Sequence, residues 1–216
     1  MKFKAVIFDL DGVICFTDEY HYRAWKAIAD REGIPFDRTL NNRLRGVSRM
    51  ESLNIILEQY KGPPLDAATK AAWAEEKNEL YRQSLAQMTP ADLLPEVKTA
   101  LDALRGAGLK LAIGSSSRNA RFILQRIGLG DFFDAISDGN NITKSKPDPE
   151  VFLKAAGYLG LPPQDCLVVE DAVAGAQAAH AANMQAACVG DAASEQAGDY
   201  NLAGIAELPC IATAPA

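Results

Sequence analysis

The sequence predicts an α/β protein, a doubly wound parallel sheet with a small helical domain inserted after its first strand. Three observations carry that expectation. Short apolar segments recur at AVIFDL (5–10), LKLAIGS (109–115), CLVVED (166–171) and QAACVG (185–190), each running into a small or acidic residue. Helical patterns lie between the later ones, and strands that alternate with helices pair in parallel beneath helices on both faces. The long stretch after the first segment, by contrast, holds no strand-like run and is dense in helix formers.

Taken in order, AVIF is an unbroken apolar run of the kind a sheet interior needs. HYRAWKAIADREG, RMESLNIILEQYKG and DAATKAAWAEEKNELYRQSLAQM follow with three-to-four apolar spacing, separated by PFDR and GPPLD, and TPADLLP marks the return to the sheet. This assigns 16–92 to the helical domain and 1–15 with 93–216 to the sheet domain. PEVKTALDALRGAG starts with Pro95 in a first helical turn, places Val97, Leu101 and Leu104 on one face, and stops at Gly106 and Gly108. RNARFILQRIGLG and DPEVFLKAAGYLG also read as helices ending in glycine. The alanine-rich run 172–187 suits close packing of helix on sheet, and EQAGDYNLAGIAELPCIATAPA is open between a further strand and a tail.

At 216 residues, 48% hydrophobic and 23% charged, the chain can bury one large core and a satellite. A net charge of -6 argues against nucleic acid or an anionic membrane as the main partner, since either favours a basic face. Asp9 cuts the N-terminal apolar stretch far below the length of a signal peptide or membrane span. Cys15, Cys166, Cys188 and Cys210 are scattered, with no zinc-type cluster or disulfide framework. Reduced thiols and a cytoplasmic location are expected.

The ends of the apolar segments carry the chemistry, because ligands of such sheets sit outside the carboxyl ends of the strands. In a strand, residues two apart share a face, so Asp9 and Asp11 in AVIFDLDG stand side by side unless the backbone turns. Glu170 and Asp171 join them if the two segments they end are sheet neighbours. Four carboxylates in a small volume call for a hard cation, and Mg²⁺ is the natural one. Alone, Glu170 and Asp171 read equally as caps of a helix starting near Ala172. With one metal ion and Lys146 the site is still negative before a phosphate arrives, so it needs either more positive charge or a protonated carboxyl; one N-terminal aspartate can be that neutral acid while the other attacks. Ser115 to Asn119, SSSRN, supplies hydroxyls, an arginine and an amide, either to bind phosphate or to cap a helix beginning at Arg118. Lys146 precedes Pro147 across a bond that can be cis or trans.

In sum, DLDGV after a strand, Ser115 after the second strand, Lys146 in SKPDP and the acidic pair in VVEDAVAGAQAA resemble the four motifs of the haloacid dehalogenase superfamily of phosphotransferases. The likeness runs from Lys2 to about Val189 and implies a Rossmann-like core with the helical insert as its α-helical cap. Within the insert, EYHYRAWKAIA followed by LRGVSRMESLNIIL is similar to the cap of the β-phosphoglucomutase family. That resemblance implies Asp9 as the nucleophile that becomes a phosphoaspartate. It implies Asp11 as the general acid and base, also offering its backbone carbonyl to Mg²⁺, with Glu170 and Asp171 completing the metal site. Ser115 and Lys146 would balance charge around the transferring phosphoryl group. Arg49 would hold the sugar's other phosphate, with Arg45, Gly46, Val47 and Ser52 shaping the substrate side of the cap. Ser117, Arg118 and Asn119 would bind phosphate from the core, and His21 would help bring Asp11 into place when sugar closes the cap.

The implied reaction interconverts β-D-glucose 1-phosphate and β-D-glucose 6-phosphate through a phosphoaspartate and β-glucose 1,6-bisphosphate. Mg²⁺ is its cofactor, the bisphosphate its phosphorylating activator, and the enzyme a monomer acting on a sugar phosphate, with no nucleic acid or membrane partner. Two residues depart from the pattern. Arg45 stands where a lysine is common, exchanging a point charge for a fork in the relay to His21. Phe16 precedes Thr17 where an acidic residue is common, at the hinge. The rival in the superfamily is a sugar-phosphate phosphatase, in which water attacks the phosphoaspartate. A non-catalytic sugar-phosphate binder is disfavoured by the intact Asp9 and Asp11, and a dinucleotide-dependent dehydrogenase by the lack of GxGxxG after a strand.

Overall fold

In the computed structural model, which describes residues 1–215, β1 (Ala5–Phe8) lies inside a parallel six-stranded sheet. The other strands are β2 (Lys110–Gly114), β3 (Ala135–Ser137), β4 (Cys166–Glu170), β5 (Gln185–Cys188) and β6 (Tyr200–Asn201). The order is β3-β2-β1-β4-β5-β6, so β1 pairs with β2 on one side and β4 on the other. Chain direction across the sheet switches at the β1–β4 boundary, where a crevice opens at the carboxyl ends of such strands.

The apolar runs are continuous because both faces of the sheet are covered, yet alternation persists within them. Val6 and Phe8 point into one layer with Leu111, Ile113, Leu167 and Val169. Ala5 and Ile7 point into the other with Ala112, Cys166 and Val168.

Between β1 and β2 the chain forms α1 (Asp18–Arg31), α2 (Arg38–Asn42), α3 (Arg49–Leu57) and α4 (Ala67–Leu85). These helices bury an apolar cluster of their own around Trp25, Ile28, Phe36, Leu53, Ile56 and Trp73. The C-terminal part of α4 leaves it, and Tyr81 and Leu85 join the cluster under the sheet. Side-chain caps set the helix starts: Asp37 accepts from Leu40 N at 2.8 Å, Ser48 from Glu51 N at 3.3 Å and Asp66 from Thr69 N at 2.7 Å.

The other expected helices form as α5 (Pro95–Gly106), which leads into β2, and beyond β2 as α6 (Ala120–Arg126), α7 (Glu150–Leu159) and α8 (Val173–Ala181). Two short ones, α9 (Gly190–Ser194) and α10 (Leu208–Ala212), complete the set. Helices α5, α6 and α10 cover the Phe8 face, while α7, α8 and α9 cover the Ile7 face. Helix α6 starts two residues later than the sequence places it, with Asn119 at the cap position. Strand β3 and helices α2, α9 and α10 are not anticipated in the sequence, since three to five residues are too few to show a period. The C-terminal segment is no tail: Tyr200–Asn201 extends the sheet at β5, and α10 packs on it. No helix among the described residues is long and apolar enough to cross a membrane.

At the end of β2, an added Cβ on Gly114 would lie 2.7 Å from the ring of Phe152 and 3.2 Å from Ile7 Cγ2. Phe152 is fully buried and has no room to yield. Gly114→Ala is therefore expected to destabilise the fold by about 1–3 kcal/mol in urea denaturation, the usual cost of overpacking.

Candidate active site

The end of β1 sets the first carboxylate. Asp9 N still donates to Val169 O at 2.9 Å, after which the chain turns so that Ile14 N and Cys15 N both donate to Leu10 O. Gly12, at φ +91, makes the turn possible, and a Cβ there would sit 2.1 Å from Asp171 Oδ2. The turn separates the two aspartates. Asp9 Oδ1 accepts from Lys146 Nζ, whereas Asp11 Oδ1 accepts from the Thr17 hydroxyl.

One carboxylate oxygen each from Asp9, Glu170 and Asp171 lie within 4.8 Å of one another. The carboxylate of Asp11 is outside this trio, so the sequence-based picture of four carboxylates gathered in one volume narrows to three. The reason is the turn at Gly12 and the hold of Thr17. Lys146 lies beneath, 1% exposed, and donates to Asp9 Oδ1 and Glu170 Oε1. The Lys146–Pro147 bond is cis.

Glu170 Oε2 accepts from Asp171 N at 3.1 Å and Ala172 N at 3.2 Å. One oxygen thus fastens the turn that leads into α8, which itself has no side-chain cap, while the other accepts from Lys146. Burial pulls the Lys146 pKa down, but Asp9 and Glu170 outweigh it and keep the ammonium charged. Burial raises Glu170 against the pull of Lys146, and burial together with Glu170 and Asp9 raises Asp171. Carboxyls crowded into holding protons are a site waiting for a cation. Three hard oxygen donors fit Mg²⁺, and with Lys146 a divalent ion balances their formal charge. Asp11 is raised to about 6 by burial and by Asp9, which suits a group that must both hold and release a proton.

Above the carboxylates a cavity of about 670 Å³ opens between the sheet and the helices α1 to α4. Every site residue read from the sequence except the buried Lys146 lines it. Arg49, at the start of α3, pairs with Glu75 at 3.1 Å. Burial lowers the Arg49 pKa, Glu75 opposes that, and Arg118 lowers it further. Two guanidiniums close enough to repel therefore face the cavity, an arrangement that an anion would relieve. Ser115 Oγ accepts from Ser117 N and Ser117 Oγ from Asn119 N, so the SSSRN turn is braced by its own hydroxyls. Ser116 Oγ donates to Gly46 O at 3.2 Å, joining this turn to the loop that bears Val47. Ser52 is buried on α3. The Asn119 amide is engaged by α4, accepting from Arg82 at 3.1 Å and donating to Asn78 at 3.0 Å. Arg45 bonds to Asp191 and lies 3.6 Å from Asp18. Phe16 is exposed at the cavity.

His21 has a partner the sequence reading missed. Its Nδ1 lies 2.8 Å from Lys77 Nζ, whereas the fork of Arg45 is turned to carboxylates instead. Burial, Lys77 and Arg49 hold the imidazole pKa well below its ordinary value, and burial with Arg49 pulls Lys77 to about 7. The overlooked signal was a lysine in the i, i+4 stripe Trp73, Lys77, Tyr81, which is the buried face of α4. Gly175 was overlooked too. A Cβ on it would lie 1.9 Å from the Glu170 carboxyl carbon, so this glycine gives Glu170 its place.

Comparison with known proteins agrees with this geometry. A family model described as haloacid dehalogenase-like hydrolase matches residues 3–183. The chain is 48% identical over 193 residues to a β-phosphoglucomutase of Bacillus subtilis, covering 87% of this chain and 83% of that protein. It is 31% identical to a phosphorylated carbohydrates phosphatase of Thermotoga maritima, over 84% of this chain and 82% of that one. Among solved structures, β-phosphoglucomutase from Clostridium difficile superposes with a TM-score of 0.89 at 37% identity, covering 95% of this chain and 93% of that chain.

Gly175→Ala should displace Glu170 and weaken Mg²⁺ binding by roughly ten- to hundred-fold in calorimetric titration, as loss of a supporting contact does. Because the carboxyl pKa values are raised, protons compete with the metal on the acid side. Mg²⁺ affinity of the parent protein should fall by roughly ten-fold or more between pH 8 and pH 6, with proton release on binding visible in buffers of different ionisation enthalpy.

Proposed function

The chain belongs to the haloacid dehalogenase-like hydrolase family, and from that membership we propose that it is a Mg²⁺-dependent phosphomutase interconverting β-D-glucose 1-phosphate and β-D-glucose 6-phosphate. The observation that carries the reading is one cavity lined both by the Asp9 cluster and by the two guanidiniums of Arg49 and Arg118, which supports one place to react and another to hold. A phosphate moved between two ends of one sugar needs both, one to react and one to hold. The likeness to the Bacillus subtilis β-phosphoglucomutase supports the choice of sugar. Residues 16–92 act as a cap over the core formed by 1–15 and 93–216. Their separate apolar cluster and their contacts with the core at Gly46, Asn119 and Asp191 support this.

Mg²⁺ held by Asp9, Glu170, Asp171 and the Asp11 backbone carbonyl would draw charge from the phosphoryl oxygens. Asp9, bearing a phosphoryl group delivered by glucose 1,6-bisphosphate, loses it to the C6 oxygen of glucose 1-phosphate. The phosphorus–Asp9 bond breaks, the new phosphorus–oxygen bond forms, and Asp11 accepts the proton from the C6 hydroxyl. The bisphosphate then turns end for end while Arg49 and Arg118 exchange one phosphate for the other. Asp9 attacks the C1 phosphate, Asp11 returns the proton to the C1 oxygen, and glucose 6-phosphate leaves. Lys146 steadies Asp9 and the transferring group throughout, and Ser115 stands beside them. Ser117 and Asn119 back the Arg118 side, and Arg45, Gly46, Val47 and Ser52 shape the cap side. His21, neutral and tied to Lys77, links sugar contact on the cap to the placing of Asp11. The enzyme works as a cytoplasmic monomer, in keeping with its free cysteines.

Supplied with β-glucose 1-phosphate, a trace of glucose 1,6-bisphosphate and Mg²⁺, the protein should yield glucose 6-phosphate with little free phosphate; rapid phosphate release would point instead to the phosphatase reaction. Asp9→Asn should abolish turnover, and Asp11→Asn should lower it by roughly 10²–10⁴-fold while sparing most Mg²⁺ binding. Normal activity in either variant would overturn the assignment.

A further inference from the structure

Glu75, on α4, lines the cavity, and no step of the reaction above uses it. Both oxygens of its carboxylate are taken. Oε2 accepts from Arg49 Nη1 at 3.1 Å, and Oε1 accepts from the Asn78 amide at 3.2 Å. Asn78 is buried, its own side-chain oxygen accepts from Asn119 at 3.0 Å, and Arg82 donates to Asn119 at 3.1 Å. Glu75, Asn78 and Arg82 are spaced three and four apart along α4, so one side of that helix carries the whole line of bonds. An acid is thereby fixed against a guanidinium that faces the cavity. The Glu75 side chain is 73% exposed, against 22% for Arg49. An ion pair with one member in water is weak, and a stronger anion replaces it. A phosphate monoester is that anion, since it carries about two negative charges and offers three oxygens to the planar fork of an arginine. Arg49 and Arg118 with Glu75 leave one positive charge on this wall of the cavity, and two once the carboxylate is set aside.

We propose that Glu75 is the resident counter-anion of Arg49, which the sugar's non-reacting phosphate must displace, and that it sets how tightly that phosphate is held. The inference rests on the reading of Arg49 as the phosphate holder. No covalent bond is made or broken; one ion pair is exchanged for another. The amide of Asn78 keeps the carboxylate from swinging away into water, so Glu75 stays beside Arg49 and takes it back when phosphate leaves. A hold loosened in this way suits a reaction whose bisphosphate must release one end before the other takes its place. Binding that is equally strong at every stage lowers KM without raising kcat, and here it would slow the exchange.

The test compares Glu75→Gln with the parent in the full chain, with Mg²⁺ and saturating glucose 1,6-bisphosphate. Glutamine keeps the length of the side chain and an oxygen that accepts, and removes only the charge. The KM for β-glucose 1-phosphate should fall by about two- to five-fold, the range an exposed ion pair is worth, with kcat equal to that of the parent or lower. A residue that merely supported the helix would raise KM when altered. Glu76→Gln is the control, because it makes the same charge change one residue along, where the side chain pairs with Arg31 and does not line the cavity; its KM should match that of the parent. A KM in Glu75→Gln equal to or above the parent's, or an equal fall in Glu76→Gln, refutes the proposal. Arg49→Ala separates the proposal from the reading beneath it. A KM unchanged in that variant removes Arg49 as the holder and the proposal with it, whereas a raised KM there beside an unchanged KM in Glu75→Gln removes the proposal alone. Each protein is assayed for both glucose 6-phosphate and free phosphate. Phosphate as the sole product would sink the mutase reading alone, because the KM comparison is read from either product.

Discussion

The site depends on one buried cation. Lys146, with its side chain 1% exposed, holds Asp9 and Glu170 together across the β1–β4 boundary. Without it two carboxylates would face each other in a region that excludes water, with no side-chain cation between them. Removing one member of such a buried group typically costs roughly 3–5 kcal/mol, since the partners are left charged and unmatched. The lysine reaches the site from the loop before α7 and packs against Phe152, with its ammonium 4.9 Å from the ring centroid. The same phenylalanine stands over Gly114, so packing under the sheet and charge above it are parts of one arrangement.

Around that centre the charges fall into three groups. The first is Lys146 with three carboxylates, which suit a metal ion. The next holds Asp11, turned aside to Thr17 and raised toward neutrality. The third holds Arg49 and Arg118, whose mutual repulsion makes room for an anion. His21 and Lys77 lie side by side, with burial lowering the pKa of both groups.

Much of this was legible along the chain because strand ends mark their own chemistry. AVIFDLDG announced both a buried strand and a carboxylate beyond it, and VVED did the same for β4. Lys146 could be found only through the SKPDP pattern, since a lone loop lysine is usually solvated. Lys77 and Tyr81 were hidden in a helical stripe that reads as ordinary core, and Gly175 in an alanine-rich run that reads as ordinary packing. Strand β3 was invisible and β6 undecided for a different reason: residues so few carry no period, and they become strands because neighbours offer them an edge.

By itself the sequence determined the alternation of strands and helices, the helical insert after β1, and the acids, the lysine and the hydroxyls that follow the strands. These are local properties, set by periodicity, by glycine and proline, and by the residue types at strand ends. Tertiary structure alone decided which carboxylates meet. Asp9 and Asp11 are two residues apart and diverge, while Asp9 and Glu170 are far apart in sequence and share one lysine. The turn at Gly12, the pairing of β1 with β4 and the close pass of Gly175 produce that outcome. Each is a matter of which atoms have room to approach, which no single stretch of chain records.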